Sequence, residues 1–141
     1  MRVVIFSPTD SYAPESLPTL SESDAVTVVT WKGTTMTDAP NRIAVPQSAW
    51  SARLVAMAAG NVLARTLVRA TPLDVGARFW RATRSDDRVR DAVRHADLIV
   101  APERDGGYAA WSWRRLAARK GREIDAVSGY PAARTSIERR R

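Results

Sequence analysis

The chain contains no cysteine and a single histidine, His95. The absence of cysteine excludes disulfide bonds, thiolate metal ligands and a cysteine nucleophile, and one histidine cannot supply a histidine-based metal cluster. Glycine is missing from residues 1–32. The closely spaced glycines of a P-loop or a dinucleotide-binding turn are therefore lacking after the first apolar segment. We expect neither a metal nor another cofactor.

Long hydrophobic runs are also missing. The longest apolar segment, residues 54–64, is interrupted by Gly60 and Asn61 and is well short of the about 20 residues that a bilayer-spanning helix needs. The apolar run of the N-terminal sequence MRVVIF is too short for a signal peptide. We therefore expect no membrane span and, by default, a cytoplasmic protein. The length of 141 residues, with 45% hydrophobic and 26% charged residues, predicts a single domain over residues 1–141.

Apolar and β-branched segments predict five β-strands. They cover residues 2–6, 25–31, 41–46, 98–101 and 124–127. The fourth segment, LIVA, is apolar without alternation, which is typical of a strand covered on both faces of a parallel sheet. Helical patterns separate the later strands, so the order of elements predicts a three-layer α/β/α sandwich with a mainly parallel, about five-stranded, Rossmann-like sheet.

The longest predicted helix covers residues 48–70 and is apolar on much of its circumference. Such a helix either packs into the core on two sides or forms a homodimer face. Residues 75–84 predict an irregular or short helical segment. Ser85 is the predicted N-cap of a further helix with a core-facing stripe at Val89, Ala92, Val93 and Ala96. Residues 107–120 predict a helix that ends at Gly121, and residues 131–141 a basic C-terminal helix or tail.

A ligand site in an open α/β sheet lies beyond the carboxyl ends of its strands. Residues 103–107 follow the most buried predicted strand and are interpreted as a loop. Glu103 and Asp105 are the candidate catalytic residues, as general bases, and Arg104 is the candidate anion contact. The candidate ligand-binding residues are Ser7, Thr9, Asp10, Trp31, Lys32, Arg104, Gly106, Gly107, Tyr108 and Tyr130. Ordinary turn, capping and core roles explain the same residue types, so both interpretations stand at this point.

Positive charge is concentrated in the C-terminal part of the chain. Residues 1–60 carry four basic and five acidic side chains, whereas the remaining 81 residues carry 18 basic and 10 acidic ones. This surplus indicates a possible nucleic-acid surface, with Tyr108 or Trp111 stacking on bases. The candidate phosphate contacts are Arg114, Arg115, Arg119, Lys120 and Arg122, together with the arginine tail. Because acids are interspersed among these bases, solvated helix faces are the alternative interpretation.

Three segments carry a family resemblance. They are MRVVIFSP, AVTVVTWKG and VRDAVRHADLIVAPERDGGYAAWSWRRLAARKG. In this strand, loop and alanine-rich helix pattern the chain resembles the N-terminal, Rossmann-like domain of GT-B type glycosyltransferases. In that family a second domain holds the nucleotide-sugar donor, and we expect no counterpart of that domain here. The resemblance therefore implies an acceptor-side or partner-side role for residues 7–11, 31–34, 103–107 and 128–130. A protein partner, a nucleotide-sugar or another polar ligand is expected, without catalysis by this domain alone.

Overall fold

The computed structural model describes residues 1–34, 41–47 and 74–141. The helix predicted over residues 48–70, and the homodimer face assigned to it, lie outside the described residues. Within the described ranges the chain forms one parallel sheet with helices packed on it.

The sheet has five strands, all of them parallel. In chain order these are β1 (Arg2–Phe6), β2 (Ala25–Trp31), β3 (Arg42–Val45), β4 (Leu98–Ala101) and β5 (Asp125–Ser128). Their spatial order is β3-β2-β1-β4-β5, so the chain first runs outward from β1 to β3 and then returns to the other side of β1. The junction between β1 and β4 is the point where this direction reverses. The α/β Rossmann-like fold predicted from the sequence is confirmed.

The two central strands are buried on both faces, as their continuous apolar sequences predict. Side chains alternate across the sheet, so Val4 and Phe6 of β1 belong to the core on one face while Val3 and Ile5 belong to the core on the other. All four residues of β4 are buried. The junction between β1 and β4 therefore lies between the two hydrophobic cores of the domain.

Three helices cover the first face: α1 (Val75–Ser85), α2 (Asp87–Arg94) and α3 (Arg104–Arg119). Phe79 of α1 is fully buried and meets the rings of Phe6 and Trp31 edge to face, at centroid distances of 6.0 and 5.1 Å. Trp113 of α3 meets Trp80 at 5.2 Å. These aromatic contacts fix α1 and α3 against each other and against the sheet. In the part of the chain that the structure describes, no helix is long and apolar enough to cross a membrane.

The second face carries a 3-10 turn (Pro14–Ser16) and the C-terminal helix α4 (Tyr130–Glu138). Ala133 and Ile137, four residues apart on α4, are fully buried against side chains of β1 and β4. The arginines after α4 form ion pairs: Arg140 with Asp125 at 2.6 Å and Arg141 with Asp24 at 3.0 Å. The basic tail is thus attached to the domain surface.

Several predicted helix boundaries are wrong. Ser85 ends α1, and the N-cap of α2 is Asp86, whose carboxylate accepts a hydrogen bond from the amide of Arg88 at 2.9 Å. Of the two alternatives for residues 75–84, the short helix is the correct one, and Asp74 caps it by accepting from the Gly76 amide at 3.0 Å. The helix α3 begins at Arg104, so residues 104–107 are its first turn instead of a loop. The C-terminal helix α4 begins at Tyr130, one residue before the predicted start of the basic C-terminal helix or tail.

Candidate functional site

The candidate site lies where the carboxyl ends of β1 and β4 meet. The connection after β1 leads to β2 on one side of this junction, and the connection after β4 leads to β5 on the other side. Ligand sites of open α/β sheets lie at such a reversal point. Residues 7–11 follow β1, and Glu103 follows β4 after Pro102. The sheet therefore places two segments side by side that are more than 90 residues apart in the sequence.

Glu103 connects these two segments. Its backbone is extended immediately before α3, with φ −124° and ψ 158°. The carboxylate oxygen Oε1 accepts from the Ser7 hydroxyl at 2.8 Å and from the Thr9 amide at 3.1 Å, and Oε2 accepts from the Thr9 hydroxyl at 2.7 Å. Hydrogen bonds to an ionised carboxylate are stronger than hydrogen bonds between two neutral groups. Glu103 thus holds the loop after β1 against the start of α3.

Ser7 and Ser11 extend this network. Ser7 is fully buried, and its hydroxyl oxygen accepts from the Ser11 amide at 2.8 Å. The Ser11 hydroxyl lies 3.1 Å from the Ser7 hydroxyl and 3.4 Å from Oε1 of Glu103. The single hydroxyl proton of Ser11 can be donated either to the Ser7 hydroxyl oxygen or to Oε1 of Glu103. Thr9 and Ser11 are exposed, so their hydroxyls are accessible from solvent. We call Ser7, Thr9, Ser11 and Glu103 the hydroxyl cluster.

Tyr130 brings a third element to the hydroxyl cluster. Its phenol, at the first position of α4, donates to the carbonyl oxygen of Ser11 at 3.1 Å. Burial raises the pKa of Tyr130, partly offset by a backbone hydrogen bond at Ala13. The phenol therefore keeps its proton at neutral pH and acts there as a donor.

Asp10 faces the opposite direction, toward β3. Its carboxylate is buried and forms an ion pair with the Arg42 guanidinium at 2.6 Å, and Arg42 also donates to the carbonyl oxygen of Thr34. Asp10 has a φ of 60°, a left-handed conformation that aspartate tolerates better than most residues. The structure therefore gives Asp10 a role in fixing the loop, apart from the hydroxyl cluster.

The glycines after Glu103 differ in their surroundings. A Cβ built on Gly106 would collide with the carbonyl oxygen of Phe6, whereas one built on Gly107 would meet nothing within 4 Å. The close approach at Gly106 is what brings the first turn of α3 against the end of β1. Asp105 lies in that turn, with its carbonyl oxygen toward Gly76 of α1, and Arg104 is exposed.

The other residues that the sequence suggested as ligand or nucleic-acid contacts lie outside the hydroxyl cluster. Trp31 is 6% exposed and packs in the core against Phe79, while Lys32 is exposed and its amide donates to Val45 at 2.8 Å. Tyr108 is exposed on α3. The exposed basic residues at the C-terminal half of α3 are Arg114, Arg115, Arg119 and Lys120. Arg122 is half-buried and donates to the carbonyl oxygens of Val93 and Ala96, each at 3.4 Å, so it caps the end of α2.

Sequence reasoning included Ser11 within the range 7–11 but did not single it out as a ligand contact, and it missed Arg42. Ser7, Thr9 and Ser11 alternate along the chain, and that spacing of hydroxyls could have singled out Ser11. Arg42 gave no such signal, because its partner Asp10 lies 32 residues away and on a different strand connection.

The chemistry of the hydroxyl cluster is that of a hydrogen-bonding site. It offers one carboxylate, three hydroxyls and, from α4, one phenol. Within the described ranges, no group of three or more metal-ligating side chains is found. No protein-family model, curated protein or solved structure matches the chain at the threshold for significance. Function is therefore inferred from geometry and chemistry.

Proposed function

We propose that this domain binds a neutral, hydroxyl-bearing ligand, such as a sugar, at the hydroxyl cluster, and that it acts as an acceptor-side or partner-dependent domain. The observation that carries the proposal is the position of Glu103. Its carboxylate lies at the reversal point of the strand order and is surrounded by the hydroxyls of Ser7, Thr9 and Ser11. Ligand sites in open α/β sheets lie at this point.

Charge supports a neutral ligand. A carboxylate repels phosphate, so a nucleotide or the diphosphate of a nucleotide-sugar is disfavoured next to Glu103. A sugar hydroxyl, in contrast, can donate to the carboxylate and accept from Thr9 or Ser11. Both of these side chains are exposed and can exchange an internal hydrogen bond for one to the ligand at little net cost.

The hydroxyl cluster offers few groups for catalysis by this domain alone. Proton transfer needs a base within reach of the substrate proton and further groups that stabilise the reacting atoms. The cluster supplies one carboxylate, Glu103, and otherwise neutral hydroxyls that are hydrogen-bonded to it. The single histidine, His95, is the C-cap of α2 and its ring contacts the carbonyl oxygen of Asp91, so it belongs to another part of the domain. Chemistry at this edge would require groups from a partner.

Titration calorimetry tests the proposal with three kinds of ligand: neutral mono- and disaccharides, nucleoside diphosphates, and nucleotide-sugars. We expect at least one neutral saccharide to bind and the nucleoside diphosphates not to bind. Glu103→Gln should weaken saccharide binding at least about tenfold, because a charge-assisted hydrogen bond is lost. Glu123→Gln, which removes an exposed carboxylate elsewhere, should leave it unchanged. Binding of nucleoside diphosphates alone, or saccharide binding that is insensitive to Glu103→Gln, would overturn the proposal.

A further inference from the structure

The outer face of α3 carries two exposed aromatic rings. Tyr108 is 46% exposed and Trp111 is 51% exposed, and they are the large hydrophobic side chains that stand out at the surface of the described residues. They are three positions apart on the helix, so they share one face, and their ring centroids are 6.2 Å apart. Exposing so much aromatic surface is unfavourable in an isolated monomer, which indicates a binding surface.

Basic side chains surround these rings. The guanidinium of Arg115, four positions after Trp111, lies over its ring at 5.3 Å from the centroid. Arg114 and Arg119 are exposed on the same helix, and Lys120, the C-cap residue directly after it, is also exposed. None of these four cations pairs with a carboxylate in the part of the chain that the structure describes, so their charge is available to a partner. We call Tyr108, Trp111, Arg114, Arg115, Arg119 and Lys120 the α3 surface.

A groove adjoins the α3 surface. It has a volume of about 130 Å³ and lies between α3 and the edge strand β5. Trp111 and Arg114 form its helix side, and Ser128 belongs to its strand side. An aromatic wall next to a guanidinium suits a flat ring with polar edges, which is the shape of a nucleobase.

We propose that the α3 surface binds single-stranded nucleic acid, with unstacked bases on Trp111 and Tyr108 and phosphates on the surrounding cations. Aromatic platforms beside a track of basic side chains are the chemistry that recognises single strands without strong sequence preference. Duplexes fit less well, because their bases are already stacked and their edges are within the grooves. With 16 residues, α3 is about 24 Å long, enough for a few nucleotides.

Fluorescence anisotropy tests this proposal with labelled single strands of DNA and RNA about 12 nucleotides long, within the range of site sizes for such surfaces. The competitors are an unlabelled duplex of the same length and poly-glutamate. We expect the single strands to bind, with Kd rising about 20-fold between about 50 and about 200 mM salt if three phosphates are contacted. Poly-glutamate and the duplex should compete poorly. Equal competition by poly-glutamate would indicate an acidic protein partner and overturn the proposal, as would the absence of single-strand binding.

Single substitutions distinguish the stacking of bases on Trp111 from general electrostatic attraction to phosphates. Trp111→Ala should raise Kd at least about fivefold without changing the salt dependence, because it removes a stacked base but no cation. Arg115→Ala should raise Kd and also reduce the salt dependence. Arg94→Ala, which removes an exposed arginine in the last turn of α2, is the matched control and should have a much smaller effect. An effect of Arg94→Ala as large as that of Arg115→Ala, or none of Trp111→Ala, would show non-specific attraction and overturn the proposal. Glu103→Gln should not affect single-strand binding, which separates this surface from the hydroxyl cluster.

Discussion

Thr9 donates both its amide and its hydroxyl to the carboxylate of Glu103, at 3.1 and 2.7 Å. The two residues are 94 positions apart in the sequence and meet only because β1 and β4 are neighbours in the sheet. This pair fixes the loop after β1 to the start of α3 and thereby forms the candidate site. The stability of the loop and the proposed ligand binding depend on the same carboxylate, so variants of Glu103 need both measurements.

Replacement of Glu103 by alanine should lower the free energy of unfolding by about 1–3 kcal/mol, because the buried hydroxyl of Ser7 loses its acceptor. Urea denaturation measures this change. Glu103→Gln keeps an acceptor oxygen and should lower the free energy of unfolding by less.

A double-mutant cycle that combines Glu103→Ala with Thr9→Val measures the hydrogen bond between the Thr9 hydroxyl and the Glu103 carboxylate. The coupling energy should be about 0.5–1.5 kcal/mol, because this bond is common to both residues. A coupling energy of zero would show that this hydrogen bond contributes nothing in solution.

The two neighbouring glycines of α3 should respond oppositely to alanine. Gly106→Ala forces a Cβ into the carbonyl oxygen of Phe6, so α3 must move away from β1 and the free energy of unfolding should fall by about 2 kcal/mol or more. Gly107→Ala meets open space and should raise the free energy of unfolding by about 0.5–1 kcal/mol through helix propensity. Thermal or urea denaturation of the two variants provides the comparison. Equal effects would contradict the close approach at Gly106.

The fold was largely predictable from local sequence. All five strands lie within one residue of their predicted bounds, because buried parallel strands are rich in apolar and β-branched residues. The start of α3 was not predictable in this way. Arg104, Asp105, Gly106 and Gly107 form a turn-prone sequence with two poor helix formers, yet they are helical because Gly106 allows the helix to abut β1. Tertiary contact outweighs local propensity there.

The candidate site was predictable only in part. The rule that ligand sites lie beyond the carboxyl ends of the strands selected Ser7, Thr9, Glu103 and Tyr130. The structure brings all four residues to one edge of the sheet. The same rule also selected Trp31, which is in the core, because the rule does not tell which face of a strand its last side chain occupies. The pairing of Asp10 with Arg42 depends on the sheet order and therefore could not be derived from the sequence.

A third prediction concerns a buried hydrogen bond in the core between the sheet and the helices α1, α2 and α3. The indole Nε1 of Trp113 donates to the Thr83 hydroxyl at 3.2 Å, which joins α3 to α1. Thr83→Val removes the acceptor while keeping the volume, and should lower the free energy of unfolding by about 1–3 kcal/mol because the indole N–H stays buried without a partner. Thr83→Ser, which keeps the hydroxyl, is the matched control. Similar losses for both variants would mean that packing of the methyl group, and not the hydrogen bond, determines the effect.

The N-cap of α2 should make stability depend on pH in the acidic range. Hydrogen bonds from Arg88 hold the pKa of Asp86 below its usual range. A carboxylate with a lowered pKa in the folded state stabilises the fold fully above its ordinary pKa, and that contribution is lost as the pH falls through the folded value. Asp86→Asn retains the cap, because asparagine and aspartate are similar N-caps, but removes the titration.

The difference in free energy of unfolding between the parent protein and Asp86→Asn should therefore be constant above about pH 5 and should decrease progressively below about pH 4. Urea denaturation at a series of pH values measures it, and the other carboxylates cancel in the difference because both proteins contain them. A difference for Asp86→Asn that is independent of pH would show that Arg88 and Asp86 do not interact in solution, and Asp86→Ala, which also removes the cap, should then still cost about 1 kcal/mol.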